Sequence, residues 1–155
     1  EFKNSDAYDD LIAVWTDFFN KKFNLEAPLD PDVVKALIAS ESGFREDPPG
    51  NPVAFGITQI TKKTLKILQD PKGEAKAFIF TNIRQKDLKN PSVAIPMAVR
   101  WQKRKKETAR SKLGREPNAE EIILEYKGML KSKTEQKAKA LKKFSENYEK
   151  LKNNK

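Results

Sequence analysis

The sequence predicts a mainly α-helical fold with at most a small β-hairpin or irregular loop after the second helix. Three observations predict it. Apolar side chains recur at steps of three and four through most of the chain. Helix-start signals stand ahead of several of these stretches, as at Asp30-Pro31, Asn90-Pro91 and Asn118 with Glu121. Only residues 53–60 form a short apolar run that lacks the helical period. A single domain over 1–155 is expected, because no repeat and no long Gly/Ser/Pro linker divides the chain. That length suffices to bury one core without a disulfide or metal.

The elements follow in order. Tyr8, Leu11, Ile12, Trp15, Phe18, Phe19 and Phe23 make one apolar stripe, with Asp6 as N-cap. Leu25 to Leu29, with Pro28, reads as a connection. Asp30 caps a second helix, Pro31 takes its first position, and Asp32 complements the positive end of the dipole. Val33, Val34, Leu37 and Ile38 form its buried face, and Gly43 stops it. Glu46 to Pro52 (EDPPGNP) can only be a loop. Residues 53–60 are then a small strand or tight turn. Thr61 caps a third helix with Leu65 and Leu68 inward. Ala75, Phe78, Ile79 and Ile83 suggest a helical turn or two. Asn90-Pro91 opens a long helix ending near Gly114, with Pro96 predicting a kink or a later start. Asn118 and Glu121 form a capping box ahead of Ile122, Ile123 and Tyr126. The last helix carries Leu141, Phe144, Tyr148 and Leu151 on one stripe.

Composition narrows the chemistry. There is no Cys and no His, which excludes thiolate nucleophiles, Cys-ligated zinc, Ser-His-Asp triads and HExxH sites. Proton transfers must fall to Glu, Asp, Tyr or Lys. The net charge of +9 is uneven. Residues 1–99 hold 13 basic and 14 acidic side chains, and residues 100–155 hold 18 and 8. The last third, including Arg100 to Lys112, therefore invites an anionic partner. No helix-turn-helix, zinc-finger or aromatic RNA-binding signature accompanies it, so nucleic acid is not expected. No apolar run reaches the ~18–20 residues of a membrane span.

Glu41 is the informative acid. It follows Ile38 by three, Leu37 by four and Val34 by seven, so it extends the apolar stripe of the second helix. Desolvation there, and the negative end of the helix dipole, both disfavour the ionised form. A general acid needs that property. The alternative is a buried Glu satisfied by a structural hydrogen bond, or one at the rim reaching water.

Glu41-Ser42-Gly43-Phe44, followed by Ala54-Phe55-Gly56-Ile57-Thr58-Gln59-Ile60 and Thr64, resembles the signature of the soluble lytic transglycosylase family. That family belongs to the lysozyme-like superfamily, with the goose-type lysozymes. The match covers 41–64 well; the preceding helix and Asn90-Pro91 fit more loosely. The resemblance implies a lysozyme-like helical fold. It implies that Glu41 is the catalytic acid/base, that Gln59 lines the glycan groove, and that Ser42 and Thr58 stand near the substrate. Tyr126, in Glu125-Tyr126-Lys127-Gly128, is similar to the tyrosine of the family's Tyr-Asn-Gly or Tyr-Asn-x-Gly segment, which approaches the catalytic Glu. Four positions depart from the pattern: Val53 replaces a glycine, Gly50 a serine, Thr58 a methionine, and Lys127 an asparagine. The last adds a charge near the cleft.

The activity implied is cleavage of the β-1,4 bond between N-acetylmuramic acid and N-acetylglucosamine in peptidoglycan, giving a 1,6-anhydro-muramyl end with no cofactor and no metal. A hydrolytic lysozyme is the alternative, with Glu46 or Asp47 as the second carboxylate. A non-catalytic peptidoglycan-binding module is another. The resemblance further implies a monomer acting outside the cytoplasm, in the periplasm, the envelope or secreted, any signal peptide having been removed. Its basic last third would attract anionic cell-wall polymers.

Overall fold

A computed structural model of the chain describes residues 5–24, 27–50 and 52–153. The described residues form six α-helices, two short 3-10 helices and one two-stranded antiparallel sheet. This is the mainly α architecture that the sequence predicts.

A 3-10 turn over Ser5–Tyr8 leads into α1 (Asp9–Lys22). Asp6 is not the cap of α1. It lies in the 3-10 turn and takes a hydrogen bond from Lys35 Nζ at 2.8 Å. Asp9 meets the same ammonium at 2.8 Å. Lys35 is largely buried on the next helix, and a buried ammonium needs carboxylates more than a helix end needs a cap. Ile12, Thr16 and Phe19 face inward. Phe19 packs edge-on against Phe78 at 5.1 Å and stacks on Phe23 at 6.2 Å, geometries that aromatic rings prefer. Within the predicted connection, residues 25 and 26 lie outside the described residues. Beyond them Leu29 is buried, and its backbone is held on both sides by the Asn20 amide at 2.8 and 3.1 Å.

α2 (Pro31–Ser42) starts and stops where the sequence predicts. Asp30 Oδ1 accepts from Asp32 N–H at 2.9 Å, and Gly43 closes the helix at φ 61. Its buried face is wide, with Val33, Val34, Ala36, Leu37, Ile38 and Ala39 all inward. Helices α1, α4 and α6 all pack against it.

After the Pro-rich loop, β1 (Ala54–Phe55) pairs with β2 (Ile60–Thr61). The turn between them needs left-handed backbone at Gly56 (φ 69) and Gln59 (φ 52). At Gly56 a Cβ would stand 2.0 Å from the Leu88 carbonyl oxygen, so only glycine fits. Thr61 then caps α3 (Lys62–Gln69) by accepting from Thr64 N–H at 3.2 Å.

Residues 71–84 hold no α-helical turn. Pro71 and Gly73 favour tight turns, and 3-10-type bonds run from Lys76 N–H to Gly73 and from Phe78 N–H to Ala75, both 3.2 Å. The carbonyls of Ala75 and Phe78 are each taken by the guanidinium of Arg100 at 3.1 Å. Gln69 holds both backbone groups of Ile83. A second 3-10 helix follows at Gln85–Lys89.

α4 (Pro91–Leu113) begins at the Asn90-Pro91 signal and runs continuously through Pro96. The helical bond that Pro96 cannot make would have gone to Ser92, which faces solvent, so its carbonyl can be hydrated. The helix contributes to all three apolar clusters of the core. Its basic stretch is therefore not one solvated face. Arg100, Lys103 and Lys106 point inward. Lys103 pairs with Glu107 and lies 3.7 Å from the Phe23 ring, and Lys106 donates to the Ala27 carbonyl. α5 (Ala119–Tyr126) carries the predicted capping box between Asn118 and Glu121. α6 (Thr134–Asn153) packs Leu141 and Phe144 against α2 and α5. Among the described residues no helix is long and apolar enough to cross a membrane.

Candidate active site

The C-terminal ends of α2 and α5 meet the hairpin and the middle of α4 around a cleft of about 330 Å³. Glu41 stands on the last turn of α2. Gln59 and Thr61 come from the hairpin, Trp101 from α4, and Tyr126 and Lys127 from the end of α5. Such a volume, with a few polar groups converging on an apolar floor, fits a small-molecule or glycan subsite.

Helix chemistry brings these side chains together. Gly43 ends α2 two residues after Glu41, and the carboxylate emerges at the cleft. The end of α5 is fixed by its backbone: Lys127 N–H donates to Ile123 at 2.9 Å, Gly128 N–H to Glu125 at 3.0 Å, and Met129 N–H to Leu124 at 2.7 Å. Gly128 supplies the left-handed residue at φ 72 that this closure requires.

Glu41 is not a lone carboxyl. Its Oε1 accepts from Lys127 Nζ at 2.6 Å, and each side chain is 21% exposed. The two residues are 86 positions apart in the chain. Among the described residues they are the two charged side chains lining the cleft. Tyr126 stands beside them. Burial, and then the Glu41 charge, push its phenol above the usual tyrosine range, so it is a neutral hydroxyl at physiological pH.

Gln59 lines the cleft and also closes its own turn, its Nε2 donating to the Gly56 carbonyl at 2.9 Å. Ser42 and Thr58 are placed otherwise. Ser42 is 3% exposed, donates to the Ile57 carbonyl at 2.6 Å and accepts from Phe44 N–H at 3.1 Å. Thr58 is 1% exposed. Both sit behind the cleft wall. Glu46 and Asp47 are exposed on the loop and do not line the cleft.

Two participants escape the sequence reading. Trp101 is not singled out there; it lines the cleft, and Lys105 Nζ lies 4.2 Å from its ring. The partner of Lys127 also escapes it, since the sequence marks a new charge but not the carboxylate it meets. Helical periodicity could have aligned Trp101 with the cleft only once α4 was known to cross beneath the hairpin.

Among the described residues no group of three His, Cys, Asp or Glu could hold a metal ion. The arrangement can instead offer one carboxyl for proton transfer, a neutral phenol and an amide for hydrogen bonding, and an aromatic floor for a sugar face. No curated protein and no solved structure matches the chain. Residues 19–148 match the family described as the transglycosylase SLT domain, and with that match spanning most of its length the chain belongs to the transglycosylase SLT family, which generally comprises glycan-cleaving enzymes acting on peptidoglycan.

Proposed function

We propose that this chain is a lytic transglycosylase that cleaves the MurNAc-β-1,4-GlcNAc bond with Glu41 as its single acid/base. One observation carries the proposal: among the described residues Glu41 is the one acidic side chain lining the cleft. In the first step the Glu41 carboxylic acid gives its proton to the glycosidic oxygen, and the bond from that oxygen to C1 of MurNAc breaks. The substrate's own N-acetyl oxygen stabilises the electron-poor C1. The Glu41 carboxylate then takes the proton of the C6 hydroxyl as O6 bonds to C1. The product is a 1,6-anhydro end, no water is consumed, and Glu41 is again protonated. Gln59 and Tyr126 orient the sugar as neutral hydrogen-bonding groups, and Trp101 supplies its apolar floor. Ser42 and Thr58 support the wall from behind, where sequence resemblance alone had brought them to the substrate.

A hydrolase needs a second carboxylate across the bond. The exposed positions of Glu46 and Asp47 favour the one-carboxylate route. The chain acts as one monomeric domain on extracytoplasmic glycan. Its cationic attraction to anionic wall polymers comes from α6, where Lys139, Lys142, Lys143 and Lys150 are exposed, rather than from the inward-facing cations of α4. The test is digestion of purified peptidoglycan by wild type and Glu41→Gln, with products identified by mass spectrometry. Wild type should release anhydro-muramyl ends, and the variant should lose at least about a hundredfold in rate. Reducing muramyl ends would instead establish a hydrolase. Retention on peptidoglycan without any soluble product would establish a binding module.

A further inference from the structure

The ion pair in the cleft sits on the group that must donate a proton. While Glu41 Oε1 accepts from the Lys127 ammonium at 2.6 Å, that oxygen cannot present a proton to a glycosidic oxygen. Opening the pair frees that oxygen for the substrate. Its two halves differ in freedom. Glu41 is on a helix packed on several sides, and the backbone of Lys127 is fixed by the closure of α5. The lysine stem, four methylenes long against two in glutamate, is what can swing.

An ammonium leaving one carboxylate in a partly desolvated cleft is stabilised by another anion. Among the described residues no second acidic side chain lines the cleft. An anion on the substrate can take that place. A MurNAc residue carries a lactyl ether on C3, two carbons from the C1 whose bond breaks. Where a peptide stem is attached, the lactyl carboxyl is an amide and bears no charge. Where the stem has been removed, it is a carboxylate. An asparagine at position 127 would hydrogen-bond to both forms with similar strength; a lysine favours the carboxylate, where the bond is charged on both sides.

Resting on the transglycosylase reading above, we propose that Lys127 is a specificity-determining residue, released from Glu41 by a free lactyl carboxylate, so that stem-free glycan is cleaved in preference to stem-bearing glycan. The exchange makes and breaks only an ion pair: the ammonium keeps its protons and moves from one carboxylate to another. Long-range attraction predicts the opposite order. Peptide stems bring their own carboxylates, which would draw the cationic chain toward stem-bearing glycan.

The experiment compares two preparations of the same glycan, one with stems intact and one stripped by an amidase. Cleavage is followed as kcat/KM for wild type, Lys127→Met and Lys127→Arg. Wild type should favour stripped glycan by about tenfold, the scale of one charge-assisted hydrogen bond. Lys127→Met should bring the ratio to within about twofold of one by gaining rate on stem-bearing glycan, and Lys127→Arg should keep the preference. Equal cleavage by wild type, or a preference for stems, overturns the role of Lys127 and leaves the transglycosylase reading standing. Cleavage of neither preparation overturns both. A folded Lys127→Met that keeps the preference, or that is inactive on both glycans, also overturns it. Should Lys127→Met not fold, the wild-type ratio and Lys127→Gln decide in the same way.

Discussion

The hydroxyl of Ser42 and the carbonyl oxygen of Ile57 are 2.6 Å apart, and that bond fastens the end of α2 that carries Glu41 to the hairpin on the other side of the cleft. The same hydroxyl accepts from Phe44 N–H, which settles the backbone where Phe44 takes a left-handed φ of 63. One buried side chain thus holds two segments whose relative position sets the distance between Glu41 and Gln59.

Ser42→Ala leaves a buried carbonyl and a buried N–H without that partner. A stability loss of about 1–3 kcal/mol is expected, measured by urea denaturation. Any fall in cleavage should follow this loss, with KM for glycan little changed. A raised KM at full stability would instead make Ser42 a substrate contact.

Gly56→Ala is expected to be worse. The added methyl would meet the Leu88 carbonyl at 2.0 Å in a left-handed backbone, so the hairpin or the Gln85–Lys89 turn must move. A loss of at least about 2 kcal/mol follows. Thermal unfolding gives the magnitude. Unchanged stability would mean that the close approach of hairpin and turn is not kept in solution.

Lys103 gives stability an alkaline signature. Burial first, and then the charges of Arg100 and Arg104, lower its folded pKa from 10.5 to about 8. Below about 8 both folded and unfolded chains carry the charge, and the folded state bears the full cost of burying it. Between about 8 and 10.5 the unfolded chain holds the proton and the folded one does not, so this group's contribution to stability rises with pH. Lys103→Met has no charge to bury, and Glu107 keeps Arg104 as a partner at 3.0 Å. The variant should be more stable than wild type at pH 7 by on the order of 1–2 kcal/mol, and the gap should close as pH approaches 10.5. A gap that stays constant from pH 7 to 10 would show that Lys103 is charged and well paired throughout.

How much of this could be read from sequence depended on how far apart the determinants lie. The start and stop of α2 and the start of α5 were legible because Asp30-Pro31, Gly43 and the Asn118–Glu121 box act within one helical turn. The hairpin was half legible: its apolar run and Gly56 stood out, but its strands are two residues each, too short for an alternation to declare itself. The turns over 71–84 misled because Ala75, Phe78 and Ile79 have helical spacing, while the carbonyls of Ala75 and Phe78 belong to Arg100, more than twenty residues away. Arg100, Lys103 and Lys106 read as a basic surface because charge counts carry no direction. At the cleft, Glu41 was legible from its place on a stripe, and Gln59 and Tyr126 by resemblance. Burial of Ser42 and Thr58 was not, since a small hydroxyl serves a wall and a ligand equally well. The meeting of Glu41 with Lys127 had no local sign at all.

That meeting has a topological consequence. The span between the two charges covers more than half of the chain, and the entropy lost in closing a span grows with its length. The cleft is therefore closed by a contact between two distant parts of the chain rather than within one local segment. A chain interrupted before α5 would keep the acid, the hairpin and the signature over 41–64, yet lack the wall bearing Tyr126 and Lys127. What distinguishes this cleft is thus written in the half of the chain that does not carry the motif.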